Sequence, residues 1–145
     1  MTTPPIVVAY DGSGAGERAV TLAQSFAQSS GAALVVAHVL EWSPYSFLTK
    51  EEIEERHKRR KEEMTRAEDV LVSPVVAKLQ AAGLTVSSDI RFGHVAETLV
   101  DIAKARNASQ IVIGRIGSSG LGARLFGSVT GTLAQIATVP VTIVP

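Results

Sequence analysis

Five short apolar segments punctuate this chain, and between each pair lies a stretch of helical pattern. The segments are Ile6–Tyr10, Ala33–Val39, Leu84–Arg91, Ser109–Gly114 and Val139–Val144. Strands joined through helices cannot be hairpins. They form a parallel sheet with right-handed crossovers and helices on both faces. The order βαβαβαβαβ, in 145 residues with no internal repeat, predicts one α/β domain over residues 1–145 with a doubly wound five-stranded sheet.

The helical stretches differ in what they can bury. After Asp11-Gly-Ser-Gly14, with Ser13 as a cap, Ala19, Leu22, Ala23, Phe26 and Ala27 share one face. From Thr49 to Ala82 the pattern stays helical. Its segment Lys50–Asp69 holds 15 of the 28 charges, so this half is expected to be solvated. Pro74 should kink or restart the helix, with Ser73 as the new cap. Gly93 is expected to open a helix that turns Val95, Leu99, Ile102 and Ala103 inward. The last helix, from Gly127, should turn in Val129, Leu133, Ile136 and Ala137. Leu84–Arg91 alternates apolar and polar residues, as a strand with one wetter face or at a sheet edge does.

Composition narrows the function classes. Fourteen basic residues balance fourteen acidic ones, which argues against a general nucleic-acid binder. The absence of cysteine excludes thiol catalysis and cysteine-ligated metal centres. No apolar run approaches the length of a membrane span, and the N-terminal residues lack the pattern of a signal peptide. The expectation is a soluble cytoplasmic protein without a membrane partner. His38, His57 and His94 show no ligand spacing; His38 reads as a core residue of the second strand and His57 as solvated.

In a doubly wound sheet ligands bind beyond the carboxyl ends of the strands, at the switch point. The residues after the fourth strand read GRIGSSGLGARLFGSVT, from Gly114 to Thr130. Glycines allow backbone N–H groups to approach an anion, and the helix beginning near Ser128 offers free N–H donors and the positive end of its dipole. Ser128 and Thr130 add hydroxyls, and Arg115 and Arg124 add charge. The same residues also read as a glycine-rich connector with an ordinary cap. No Gly-Lys-Ser/Thr is present, and Glu17 stands where a dinucleotide fingerprint needs its third glycine. Asp11 reads from the residues alone as a turn former that caps the first helix. Trp42 and Tyr45 read as pocket walls or as loop anchors.

Four motifs together resemble the universal stress protein family over residues 5–145. They are Val8-Ala-Tyr-Asp11-Gly-Ser13, Ala37-His-Val39, Gly93-His-Val-Ala-Glu97, and the signature G-x2-G-x9-G-(S/T), matched by Gly114, Gly117, Gly127 and Ser128. That signature marks the nucleotide-binding branch of the family. The resemblance implies a strand order 3-2-1-4-5, with the first and fourth strands adjacent. It implies an adenine between Ala9, Tyr10, Asp11 and Val39, and a ribose near Asp11 and Gly114. The phosphates would lie on Gly117, Gly127, Ser128, Val129 and Thr130, with Arg115 nearby. Ala9-Tyr10 departs from the Pro-Thr of some members, which affects the adenine wall and not the phosphate cradle.

ATP, ADP or AMP is the implied ligand; a Mg2+ ion beside the phosphates is left open. In the implied order the last strand is an edge with no charged residue, and a homodimer through Val141–Val144 is expected. Three functions fit: an ATP-binding regulatory protein of the stress response, a slow ATPase or self-phosphorylating enzyme, and a nucleotide-independent dimeric interaction protein.

Overall fold

The computed structural model describes residues 3–41, 49–117 and 127–145. Trp42, Tyr45 and Arg124 lie outside the described residues. The elements are β1 (Ile6–Ala9), α1 (Gly14–Ser30), β2 (Leu34–Glu41), α2 (Lys50–Arg66), a π-helical segment (Ala67–Val72), α3 (Ser73–Ala81), β3 (Val86–Gly93), α4 (Val95–Ala105), β4 (Gln110–Gly114), α5 (Ser128–Ile136) and β5 (Val141–Val144). All strand pairs are parallel, in the order β3-β2-β1-β4-β5. The resemblance implied this order, and the structure has it.

Each strand sends alternate side chains to two cores. Ile6, Val8 and Tyr10 of the β1 region join Leu34, Val36 and Val112 beneath α1, the π segment and α3. Val7, Val35, Ala37, Ile111 and Ile113 pack under α4 and α5 against Leu99, Ile102 and Leu133. α1 meets its face of the sheet through Ala19, Ala23 and Ala27, all buried, with Leu22 and Phe26 at the margins. These small residues let α1 lie close to the sheet, which brings its N-terminus beside the ends of β1 and β4.

Several local expectations need correction. The helix from α2 to α3 is not restarted by a Ser73 cap. Instead it widens into a π turn, where the Ser73 N–H donates to the Glu68 carbonyl, and Pro74 falls in the first turn of α3. A proline inside an α-helix lacks a donor and collides with the carbonyl four residues back; the wider turn makes room for the ring. Gly93 closes β3 rather than opening α4, which starts at Val95 with His94 at its N-cap position. Ile136 is exposed rather than inward, because α5 ends there and only Thr130 and Leu133 of that helix are buried. β2 runs two residues beyond Val39, to Glu41, alongside β3.

The solvated reading of α2 holds: none of its residues is buried. Its visible attachment includes the Arg60 guanidinium stacked 5.4 Å from the centre of the Phe92 ring. Among the described residues, no helix is long and apolar enough to cross a membrane.

Candidate functional site

β1 and β4 are neighbours in the sheet, and the chain leaves them toward opposite faces: from β1 into α1, from β4 toward α5. The loops therefore part above the strand ends and leave a crevice, as expected at a switch point. A cavity of about 330 Å3 occupies it, with Ala9, Val39, Leu99 and Ile113 among its apolar wall residues. This volume lies within the range of small-molecule sites.

All eleven residues singled out from the sequence line this one cavity: Ala9, Tyr10, Asp11, Val39, Gly114, Arg115, Gly117, Gly127, Ser128, Val129 and Thr130. They do not all present what the sequence suggested. The Tyr10 side chain belongs to the core on the α1 face. Burial pushes its phenol pKa up, and the charges of Glu17 and then Asp11 add to the shift. The Thr130 side chain is also turned inward. It is buried, and its hydroxyl lies 2.9 Å from the Gly127 carbonyl and 3.3 Å from that of Arg115, both of which can only accept. Thr130 thus closes the loop with its hydroxyl.

The loop after β1 is fixed by its own polar groups. Asp11 Oδ1 accepts from the Ser13 backbone N–H at 2.9 Å and from the Ser13 hydroxyl at 2.5 Å. The same hydroxyl accepts from the Gly16 N–H at 3.0 Å and caps α1. Asp11 Oδ2 faces Gly117 across the crevice: a Cβ added to Gly117 would come within 3.0 Å of it.

The loop after β4 is joined through the Arg115 backbone. Its N–H donates to the Val144 carbonyl at 2.6 Å, and its carbonyl accepts from the Gly127 N–H at 3.1 Å. The end of β4, the end of β5 and the start of α5 thus meet at the backbone of one residue, through its two flanking peptide groups. Gly127 is the N-cap of α5 and supplies no side-chain bond, and no acidic residue stands in the first turn. Among the described residues, no side chain caps the first N–H groups of α5, and the positive end of its dipole faces the cavity rim. Arg115 is exposed there, the one Lys or Arg among the described lining residues.

Sequence reasoning passed over His38, taken as a core residue. It is only half-buried and lines the cavity, with Nδ1 2.7 Å from the Tyr10 carbonyl. It stands one residue beyond the last β1–β2 pair, Ala9 with Ala37, a register that no sequence signal announces. Ser13, Gly16, Val95, Leu99 and Ile113 also line the cavity. Among the described residues, no three His, Asp or Glu side chains gather as a metal site.

With this geometry established, similarity to known proteins becomes informative. The model of the universal stress protein family matches residues 3–145. The chain belongs to that family. A universal stress protein of Thermus aquaticus, described by its position in the 3' region of a QAH/OAS sulfhydrylase, is 33% identical over 141 residues, 96% of each chain. The solved UspA of Lactobacillus plantarum superposes with a TM-score of 0.84 at 23% identity, over 100% of this chain and 99% of that one. A universal stress protein solved in complex with cAMP gives a TM-score of 0.70 at 25% identity, covering 99% and 98% of the two chains. Against this family frame, Gly114, Gly117, Gly127 and Ser128 fit the family's signature and sit on a single cavity.

Two glycines near that cavity should respond oppositely to alanine. A Cβ on Gly114 would lie 2.8 Å from the backbone of Ala15, where α1 presses on the end of β4. Gly114→Ala should lower unfolding free energy by about 1–3 kcal/mol. Gly131, inside α5, has nothing within 4 Å of its Cβ position among the described residues. Gly131→Ala should raise stability by about 0.5–1 kcal/mol. Urea denaturation of both variants checks the pair; equal effects would contradict the close approach at Gly114.

Proposed function

We propose that this protein is a cytoplasmic, homodimeric, ATP-binding regulator of the stress response, with the adenine nucleotide in the crevice between the loops after β1 and β4. One observation carries the reading: a single cavity presents a peptide edge suited to a base at one end and an uncapped helix N-terminus at the other.

The peptide edge belongs to Val39. Along β2, Leu34 directs its N–H to β3, where it bonds the Thr85 carbonyl, so by alternation Ala37 and Val39 face the β1 side. β1 stops pairing at Ala9, opposite Ala37. The N–H and C=O of Val39 therefore face the gap that β1 has vacated. Adenine offers an acceptor at N1 beside a donor at N6, which complements such a pair. Guanine presents the two in reverse order, which would turn its glycosidic bond the other way. The apolar walls, Ala9, Leu99 and Ile113, suit the faces of the ring. Asp11 Oδ2, facing Gly117, is suited to accept from a ribose hydroxyl. Ser128 and Val129 offer backbone N–H groups to the phosphates, and Thr130 its backbone N–H from the same turn, while Gly127, whose N–H is held by the Arg115 carbonyl, allows close approach. Arg115 adds a cation at the rim. A Mg2+ ion would arrive on the phosphates; of the two carboxylates that line the cavity, Asp11 and Glu41, Asp11 faces Gly117 of the loop after β4. Asp11 Oδ1 already accepts two hydrogen bonds, so we read this residue as orienting the ligand rather than as a catalytic base.

The two sheet edges favour dimerisation through β5. On β3, the outward carbonyls of Val86 and Ser88 accept from Gln80 Nε2 at 3.3 Å and Arg106 Nη2 at 3.3 Å. Asp89 is bound to Arg91 at 2.8 Å, so this edge also carries charge. On β5, the Pro140 and Val144 carbonyls bond β4, which leaves the N–H and C=O of Val141 and Ile143 facing outward. Side chains blunt the first edge; the second keeps its pairing groups.

Calorimetry tests the nucleotide site. Gly127→Gln blocks close approach and Ser128→Ala removes a donor; each should weaken ATP binding roughly ten- to hundredfold, the worth of a hydrogen bond to a charged group. Unchanged affinity in both would refute the cradle. Sedimentation tests the dimer. The unmodified chain should be a dimer at micromolar concentration, and Ile143→Pro, which removes an outward N–H without touching the β4 ladder, should yield monomer. A monomeric unmodified chain would refute the β5 interface.

A further inference from the structure

The contact between His38 and Tyr10 interrupts a regular ladder. If β1 and β2 paired one step further, Tyr10 would stand opposite His38. Its N–H would then bond the Ala37 carbonyl, and its carbonyl would accept from the Val39 N–H. The first bond is present, at 2.9 Å. The second is replaced: the Tyr10 carbonyl lies 2.7 Å from His38 Nδ1. A carbonyl oxygen cannot donate, so Nδ1 carries the proton.

The side chain has thus taken the place of a backbone donor. Tyr10 is held to β2 through both its peptide groups, one by the Ala37 carbonyl and one by the imidazole. This fixes the chain immediately before Asp11. It also leaves the Val39 N–H without the partner that the ladder would supply. We infer that His38 is a positioning residue of the crevice, which ends the β1–β2 ladder one bond early and keeps the Val39 N–H available to the ligand. The inference rests on reading Val39 as the base-contacting residue.

The alternative state is definite. Without the imidazole donor, the Tyr10 carbonyl can take the Val39 N–H and extend the parallel ladder by one rung. A variant lacking the donor would keep an intact sheet and lose the base contact. A purely structural histidine makes a different prediction, since its removal would loosen the sheet end and leave Val39 more open.

The test uses the full chain and nuclear magnetic resonance, with AMP and ATP as probes. In the unliganded wild type, His38 should be protonated at Nδ1. The Val39 amide should exchange with deuterium much faster than that of Ala37, which lies within the ladder. His38→Val should slow exchange at Val39 and weaken nucleotide binding about tenfold or more. His38→Asn places a side-chain amide donor near the position of Nδ1 and should retain affinity within about threefold of wild type. A wild-type His38 protonated only at Nε2, a Val39 amide as protected as that of Ala37, or an undiminished affinity in His38→Val would each overturn the inference. Failure of the unmodified chain to bind adenine nucleotide would instead overturn the nucleotide reading. The tautomer and the Val39 exchange would still decide whether His38 interrupts the ladder, even if both variants failed to fold.

Discussion

The close approach of α1 to the ends of β1 and β4 is the constraint on which the rest of the structure depends. Gly114 touches the backbone of Ala15, with no space for a side chain between them. The alanine face of α1 makes that distance attainable, because Ala19 and Ala23 are wholly buried against the sheet. From this contact β4 turns one way and β1 the other. The crevice opens between them, at the point where the strand order reverses.

Most of what the crevice offers is main chain. Asp11 is locked by Ser13, the Thr130 hydroxyl is spent on the Gly127 carbonyl, and the Tyr10 ring faces the core. Among the described residues, the donors left at the α5 end of the cavity are chiefly peptide N–H groups, with Arg115 at the rim, and at the β2 end the Val39 peptide. A site built this way tolerates wide change in side chains while it demands small residues where backbones must approach. The glycine spacing Gly114, Gly117, Gly127 is readable in a sequence for this reason. The Arg115 backbone, bonded to both Val144 and Gly127, holds the far wall at its distance.

The fold was largely legible because it follows from alternation. Apolar runs separated by helical stretches leave few topologies, and the order of strands came from family resemblance rather than from periodicity. The candidate site was legible at its glycines through their spacing and the family resemblance together, since the glycines alone read equally as an anion cradle or as a connector. Other features depend on where a strand stops pairing. Nothing in the pattern around Val35–His38 says that β1 ends at Ala9, so His38 read as core. The direction of the Tyr10 and Thr130 side chains depends on packing beneath the loops. The π turn before Pro74 was out of reach for a related reason: a proline announces a disturbance of the helix but not whether the chain breaks or widens.

In the proposed function the crevice holds an adenine nucleotide with its base on Val39 and its phosphates on the start of α5. The most direct measurement is a crystal structure of the chain grown with AMP. We expect hydrogen bonds from the adenine edge to the Val39 N–H and C=O, with the phosphate within hydrogen-bond distance of the backbone N–H groups of Ser128 to Thr130. An empty crevice at saturating AMP, or a nucleotide bound with its base toward α5 and its phosphate toward β2, would contradict it.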